Sequence, residues 1–282
     1  MFKIKKYIPD IVVAIILIAG IGLLAYPTIG DYINALHSSK AIGSYVEKTK
    51  DLSKEEKENL LREAREYNES LVGKVNRYYL NEEEKKRYAH ILDITKTGIM
   101  AYVEIPKLNI YMPVYHGTDE GVLQIAAGHL PGSSLPVGGE NTHSLISGHR
   151  GLPSAKLFTD IDKLKKGDLF FIHVFDEVLA SKVNQIKIVL PDDVETLEIE
   201  KGKDYVTLIT CTPYGVNSHR LLVRGERTVY KQSESKIEDM IKKNNLKYIM
   251  LTAGVILALI GMTVLVSVFL IKRRKRRKLN EK

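Results

Sequence analysis

Two uncharged apolar runs bracket the chain, at residues 11–26 (IVVAIILIAGIGLLAY) and 248–271 (YIMLTAGVILALIGMTVLVSVFLI). The second is long enough for a bilayer, which takes roughly 20 residues per helical span. The first reaches that length only with residues 27–30. It reads as a retained anchor at 11–30, or uncleaved signal, because Pro27 beside Ala25-Tyr26 is a poor cleavage context. Residues 31–97 are polar and helical in character. Ser53-Lys54-Glu55-Glu56 fits a capping box, and Leu60, Leu61, Ala64 and Tyr67 follow at helical spacing. Residues 81–84 offer a second helix start that runs through Tyr88 to Leu92. The connector at 72–80 exposes two adjacent tyrosines, Tyr78 and Tyr79. It is either part of a stalk or a lid over a pocket, and composition favours the stalk.

From Gly98 the period changes from helical to alternating. Strand candidates lie at 99–105, 108–115, 142–146, 169–174, 178–188, 206–211 and 220–227, with a short helix expected within 152–164. Short strands at this spacing predict a mainly β domain closed, or nearly closed, into a barrel. Residues 233–245 read as a charged helix leading into the second apolar run.

Charge refines the topology. The net charge is +8, but residues 1–10 carry +2 and residues 272–282 carry +7, which leaves the long middle nearly neutral. Basic residues outside both apolar runs place both ends in the cytoplasm and residues 31–247 outside. The tail KRRKRRK is then a stop-transfer and lipid-headgroup anchor rather than a nucleic-acid site.

Cysteine usage brings in the chemistry. Cys211 is the only cysteine, so an exported domain holds it unpaired, and a buried inert thiol, an intermolecular partner or a reactive thiol are the choices. It closes the run VTLITC, and Arg220 opens the next, LLV. Paired as neighbours, the two strands put thiol and guanidinium at one end of the sheet. Among the histidines, His149 in Ser147-Gly148-His149-Arg150-Gly151 follows a strand and is bracketed by glycines. His219 adjoins Arg220, and strand alternation lets only one of that pair face Cys211. A metal site is the weaker use of these histidines: there is no His-Glu-x-x-His, no second cysteine and no tight carboxylate cluster. Gly138-Gly139 lacks phosphate-loop spacing, and no cofactor is expected.

Thr207-Leu208-Ile209-Thr210-Cys211, Pro213 and Arg220-Leu221-Leu222-Val223-Arg224-Gly225 resemble the sortase signature, and Ser147-Gly148-His149 resembles that family's histidine segment. The longer strings Gly148-His149-Arg150-Gly151-Leu152-Pro153 and Asn217-Ser218-His219-Arg220 are similar to class C, the pilus-assembling sortases of Gram-positive bacteria. The resemblance covers about 66–227. It implies an eight-stranded sortase β-barrel with an N-terminal helical extension, flanked by two transmembrane helices. It also implies a cysteine transpeptidase in which Cys211 attacks the Thr–Gly bond of an LPxTG-like sorting signal. His149 protonates the leaving amine, Arg220 steadies the oxyanion, and a pilin lysine resolves the thioester. The implied partners are LPxTG-bearing pilins or surface proteins, the acceptor lysine and membrane lipids.

Class C sortases usually carry an Asp-Pro-aromatic lid, and this chain has no Asp-Pro. The connector around 75–80 stands in its place, so the expected lid, using Tyr78 or Tyr79, is looser or absent. The plan is a cytoplasmic N-terminus (1–10), an anchor (11–30), a helical stalk (31–97) with possible lid 72–80 and a catalytic barrel (98–230). A juxtamembrane helix (231–247), a second span (248–271) and a basic cytoplasmic tail (272–282) follow. The rival acceptor is a peptidoglycan precursor. A β-barrel adhesion module with an inert cysteine and a hydrolytic cysteine protease are the remaining alternatives.

Overall fold

The computed structural model describes residues 8–230, together with 250, 253, 254 and 261. The expected helix at 233–245, most of the second apolar run and the basic tail lie outside the described residues. Gly30–Lys231 forms one compact unit, and the chain before Gly30 belongs to another.

Helix α1 spans Ile8–Asp51 as one 44-residue helix with Pro27 inside it. It does not stop at residue 30, where the expected anchor ends. Its apolar part exposes Leu23 and Leu24 and has nothing buried. Among the described residues it is the one helix long and apolar enough to cross a membrane. Helix α2, Lys54–Leu71, starts at the expected capping box: Ser53 accepts from Glu56 N, and the Glu56 carboxylate accepts from Ser53 N. These reciprocal bonds satisfy two backbone donors that a helix start otherwise leaves unpaired. Helix α3, Glu82–His90, starts in the same way at Asn81 and Glu84.

Eight strands follow: β1 Ile99–Ile105, β2 Ile110–His116, β3 Ala127–His129, β4 Thr142–Ser147, β5 Leu169–Val174, β6 Glu177–Val189, β7 Asp204–Thr212 and β8 His219–Arg227. A short helix, α4, Glu120–Leu123, sits between β2 and β3. The strands close in the order β1-β2-β3-β4-β7-β8-β6-β5, with β1 paired back to β5. The β2–β3 and β4–β7 pairs are parallel and the others antiparallel. Seven strands coincide with the expected ones to within two residues. The eighth, β3, is Ala-Gly-His and has no β-branched run to betray it. The helix expected within 152–164 is only a single 3-10 turn at Ile161–Lys163.

Alternation sorts the strand side chains. On β7 and β8, Val206, Leu208, Leu221 and Val223 enter the large core, while Ile209 and Leu222 join a smaller cluster with Leu145 and Leu197. Helices α2 and α3 and the C-terminal part of α1 pack onto the barrel rather than standing off it. Leu61, Ala64, Tyr67 and Leu71 of α2 belong to the large core. Asn68 closes a two-way bond with Leu135, donating from Nδ2 to its carbonyl at 3.1 Å and accepting from its N–H at 2.6 Å. Tyr45 of α1 is fully buried; its hydroxyl donates to Met100 O and accepts from Phe175 N, each at 3.1 Å. Burial raises the Tyr45 phenol well above its usual range, so it remains a neutral donor.

Candidate active site

Topology brings three sequence-distant residues to one rim. Strands β4 and β7 run parallel, so both end there. β8 runs against β7 and begins there. His149 lies two residues beyond the end of β4, Cys211 is the penultimate residue of β7, and Arg220 is the second residue of β8. Cys211 and Arg220 are direct register partners, and directly opposed residues share a sheet face. That face also carries Ile209 and Leu222, two positions back along each strand. His219 pairs instead with Thr212 and contacts Ser218 Oγ at 2.9 Å. Alternation turns it away from the Cys211 face.

The His149 segment is tied to β7 on both sides of Cys211. Gly148 N donates to Ile209 O at 3.0 Å, and Thr210 Oγ1 donates to Gly148 O at 2.7 Å. Beyond the histidine, Arg150 donates to Thr212 Oγ1 at 3.1 Å. Residues 148 and 150, flanking His149, therefore bind residues flanking Cys211. Gly148 permits this approach, since a Cβ there would lie 2.6 Å from the ring of fully buried Phe158. Phe158 N in turn donates to His149 O at 3.1 Å.

The groups differ in exposure. Cys211 and Arg220 are half-buried, and the His149 side chain is 25% exposed with its Nε2 buried. His149 Nε2 lies 3.5 Å from Glu120 Oε2, from the first residue of α4. That contact is ionic when the ring is charged and is too long for a strong hydrogen bond. Arg220 Nη1 is braced on Asn217 O and His219 O at 3.2 Å each.

The connector at 72–80 lies over the same face. Arg77 is 4% exposed and donates to Leu197 O at 2.7 Å, with Glu198 at 3.5 Å. Its Nη2 also contacts the Tyr78 hydroxyl at 2.7 Å. Tyr78 packs on the cluster of Leu145, Leu197, Ile209 and Leu222, one alternation step from Cys211 and Arg220. Burial raises the Tyr78 phenol above its ordinary value. Tyr79, the other tyrosine considered for this role, is 84% exposed. Gly132 lets the connector approach: its φ is +82°, and a Cβ there would collide with Arg77 O. Two further histidines support the framework. Burial pulls His143 down to about 4 and His129 to about 3. Each is neutral and fully bonded, His143 between Glu198 O and Thr207 Oγ1, and His129 between Ser134 O and Tyr88. Glu120 and Arg150 were not singled out from the sequence. Arg150 adjoins the candidate histidine, but nothing local reveals that it reaches Thr212.

Residues 103–228 match the sortase domain family. The chain resembles the crystal structure of sortase C1 from Streptococcus agalactiae at 48% identity and TM-score 0.66, covering 68% of this chain and 100% of that one. This chain belongs to the sortase family. Sortase C of Streptococcus pneumoniae is similarly related, at 46% identity and TM-score 0.62, with 69% of this chain and 99% of the other covered. Curated sortases are more distant: sortase A of Bacillus anthracis is 30% identical over 133 residues, 47% of this chain and 61% of its own length. The chain spans about three fifths of the curated relatives it matches. Sortases are cysteine transpeptidases, and this one has a single cysteine to offer.

Proposed function

We propose that this sortase is a membrane-anchored transpeptidase that polymerises pilin subunits, with Cys211, His149 and Arg220 as its catalytic residues. The observation that carries the reading is the binding of the His149 segment to β7 on either side of Cys211, with Arg220 in register opposite the thiol. In the first half-reaction the Cys211 thiolate attacks the threonyl carbonyl carbon of an LPxTG-like sorting signal. The Thr–Gly C–N bond breaks, His149 donates a proton to the departing glycyl amine, and the threonyl group remains as a thioester. In the second, a lysine ε-amine of the next pilin attacks that carbonyl and passes its surplus proton to His149. The C–S bond breaks and an isopeptide bond forms. Arg220 supplies fixed N–H donors to the oxyanion in both steps. Helix α1 and residues 248–271 serve as membrane spans, with both termini cytoplasmic, and the connector at 72–80 serves as a lid.

The test incubates the full-length protein in detergent with a Leu-Pro-x-Thr-Gly peptide and either a lysine-containing pilin peptide or oligoglycine, followed by mass spectrometry. The expected products are a Cys211 acyl-enzyme and a lysine isopeptide adduct, both missing from Cys211→Ala. Transfer to oligoglycine alone makes it a cell-wall-anchoring sortase. Cleavage without transfer makes it a hydrolase, and no reaction with any peptide refutes the enzyme reading.

A further inference from the structure

Arg150 follows the candidate acid–base histidine, and its guanidinium is spent on two residues from different parts of the chain. Nη1 donates to Thr212 Oγ1 at 3.1 Å and Nη2 to the Asp162 carboxylate. The Arg150 side chain is only 10% exposed, and Thr212 is 7% exposed. Thr212 adjoins Cys211, and alternation on β7 turns its side chain to the opposite face. On its N-terminal side the His149 segment is already fixed to β7 through Gly148 and Thr210. On its C-terminal side Arg150 makes the corresponding tie.

We propose that Arg150 is a positioning residue that holds the spacing between His149 and Cys211 by bridging Thr212 and Asp162. It rests on the transpeptidase reading but acts through the two reacting side chains without touching substrate. The planar guanidinium suits the task, because two of its nitrogens meet acceptors in fixed directions. A lysine ammonium is a flexible point charge that reproduces the charge and not the span. With the bridge cut, the His149 segment is tied to β7 on its N-terminal side only, and its remaining C-terminal bonds, Phe158 N to His149 O and Gly151 N to Thr159 Oγ1, do not reach β7. A displacement on the order of 1 Å in such a pair costs about 100-fold in rate.

The experiment uses the full-length protein in detergent and two readouts. Because Arg150→Ala also leaves a void and an unpaired Asp162, Arg150→Lys and the near-isosteric Thr212→Val carry the test, and thermal melts establish that each variant is folded. With the sorting peptide, both variants are expected to lose about 10- to 100-fold in kcat with KM unchanged. Combining them is expected to add little, since both cut one bridge. Independently of any peptide, the alkylation rate of Cys211 by iodoacetamide is compared with and without His149→Ala. That substitution is expected to change the rate several-fold in the wild-type background and not at all beside Arg150→Lys. An equal His149 effect in both backgrounds, no effect in either, or wild-type kcat in folded Arg150→Lys and Thr212→Val overturns the proposal. If the wild-type protein processes no peptide, the transpeptidase reading fails and the alkylation comparison still decides Arg150.

Discussion

At the residue scale, the candidate site depends on a missing methyl group. Gly148 lies against the buried Phe158 ring, and a Cβ would intrude to 2.6 Å. Gly148→Ala is expected to cost about 1–3 kcal/mol through overpacking and to move His149 away from the thiol. Thermal melts and peptide turnover should both fall, and an alanine variant with wild-type melting and turnover would show that the ring yields. His149, Cys211 and Arg220 could be proposed from the sequence because each sits in a short string with a chemical reason for its composition. Arg150 and Glu120 were not, because their partners lie far along the chain. The Arg150–Thr212 bond spans 62 residues, and it depends on β4 and β7, far apart in the chain, pairing in parallel.

At the element scale, the helical segment was read correctly at its starts, where local chemistry decides. Both helices start at the expected residues, α2 at the expected capping box and α3 at a second one formed by Asn81 and Glu84. Its relation to the barrel was not legible, because a polar composition with a thin apolar stripe suits either a stalk or a surface-packed helix. The decisive contacts, such as Asn68 with Leu135 and Arg77 with Leu197, are long-range. The connector carries a prediction of its own. Arg77→Ala and Tyr78→Ala remove its buried attachments and are expected to speed Cys211 alkylation several-fold. Tyr79→Ala, at an 84% exposed position, is expected to leave that rate unchanged. Equal rates for all three would show that the connector does not shield the thiol. Strand β3 escaped detection for a different reason. Three residues centred on a glycine carry no periodicity, and only pairing with β2 and β4 makes them a strand.

At the scale of the whole molecule, buried histidines set the response to acid. Burial holds His129 and His143 neutral, pulling them down to about 3 and about 4; the ordinary value is about 6.5. Between those values the unfolded chain binds the extra protons, so stability falls as pH drops below about 6.5 and levels off only below about 3. At pH 5 the loss is about 2 kcal/mol per histidine. For a unit of this size that lowers the Tm by about 10 °C relative to pH 7. A melting temperature that is flat from pH 7 to 5 would contradict the buried, neutral assignment.

The pairing of β1 with β5 closes the sheet, and closure leaves free backbone donors and acceptors only where one strand outruns its neighbour, as β6 does beyond Val183. On the proposed reaction, an extended sorting peptide can add as a strand only at such an overhang and is otherwise read through its side chains. Replacing amide linkages by esters in the peptide, away from the scissile bond, is expected to change KM less than twofold, whereas truncating the leucine or proline side chain raises it strongly. A large penalty for the esters would point to main-chain pairing instead. The same closure has a second effect: a protein that would handle extended, sticky chain ends offers them little edge on which to nucleate.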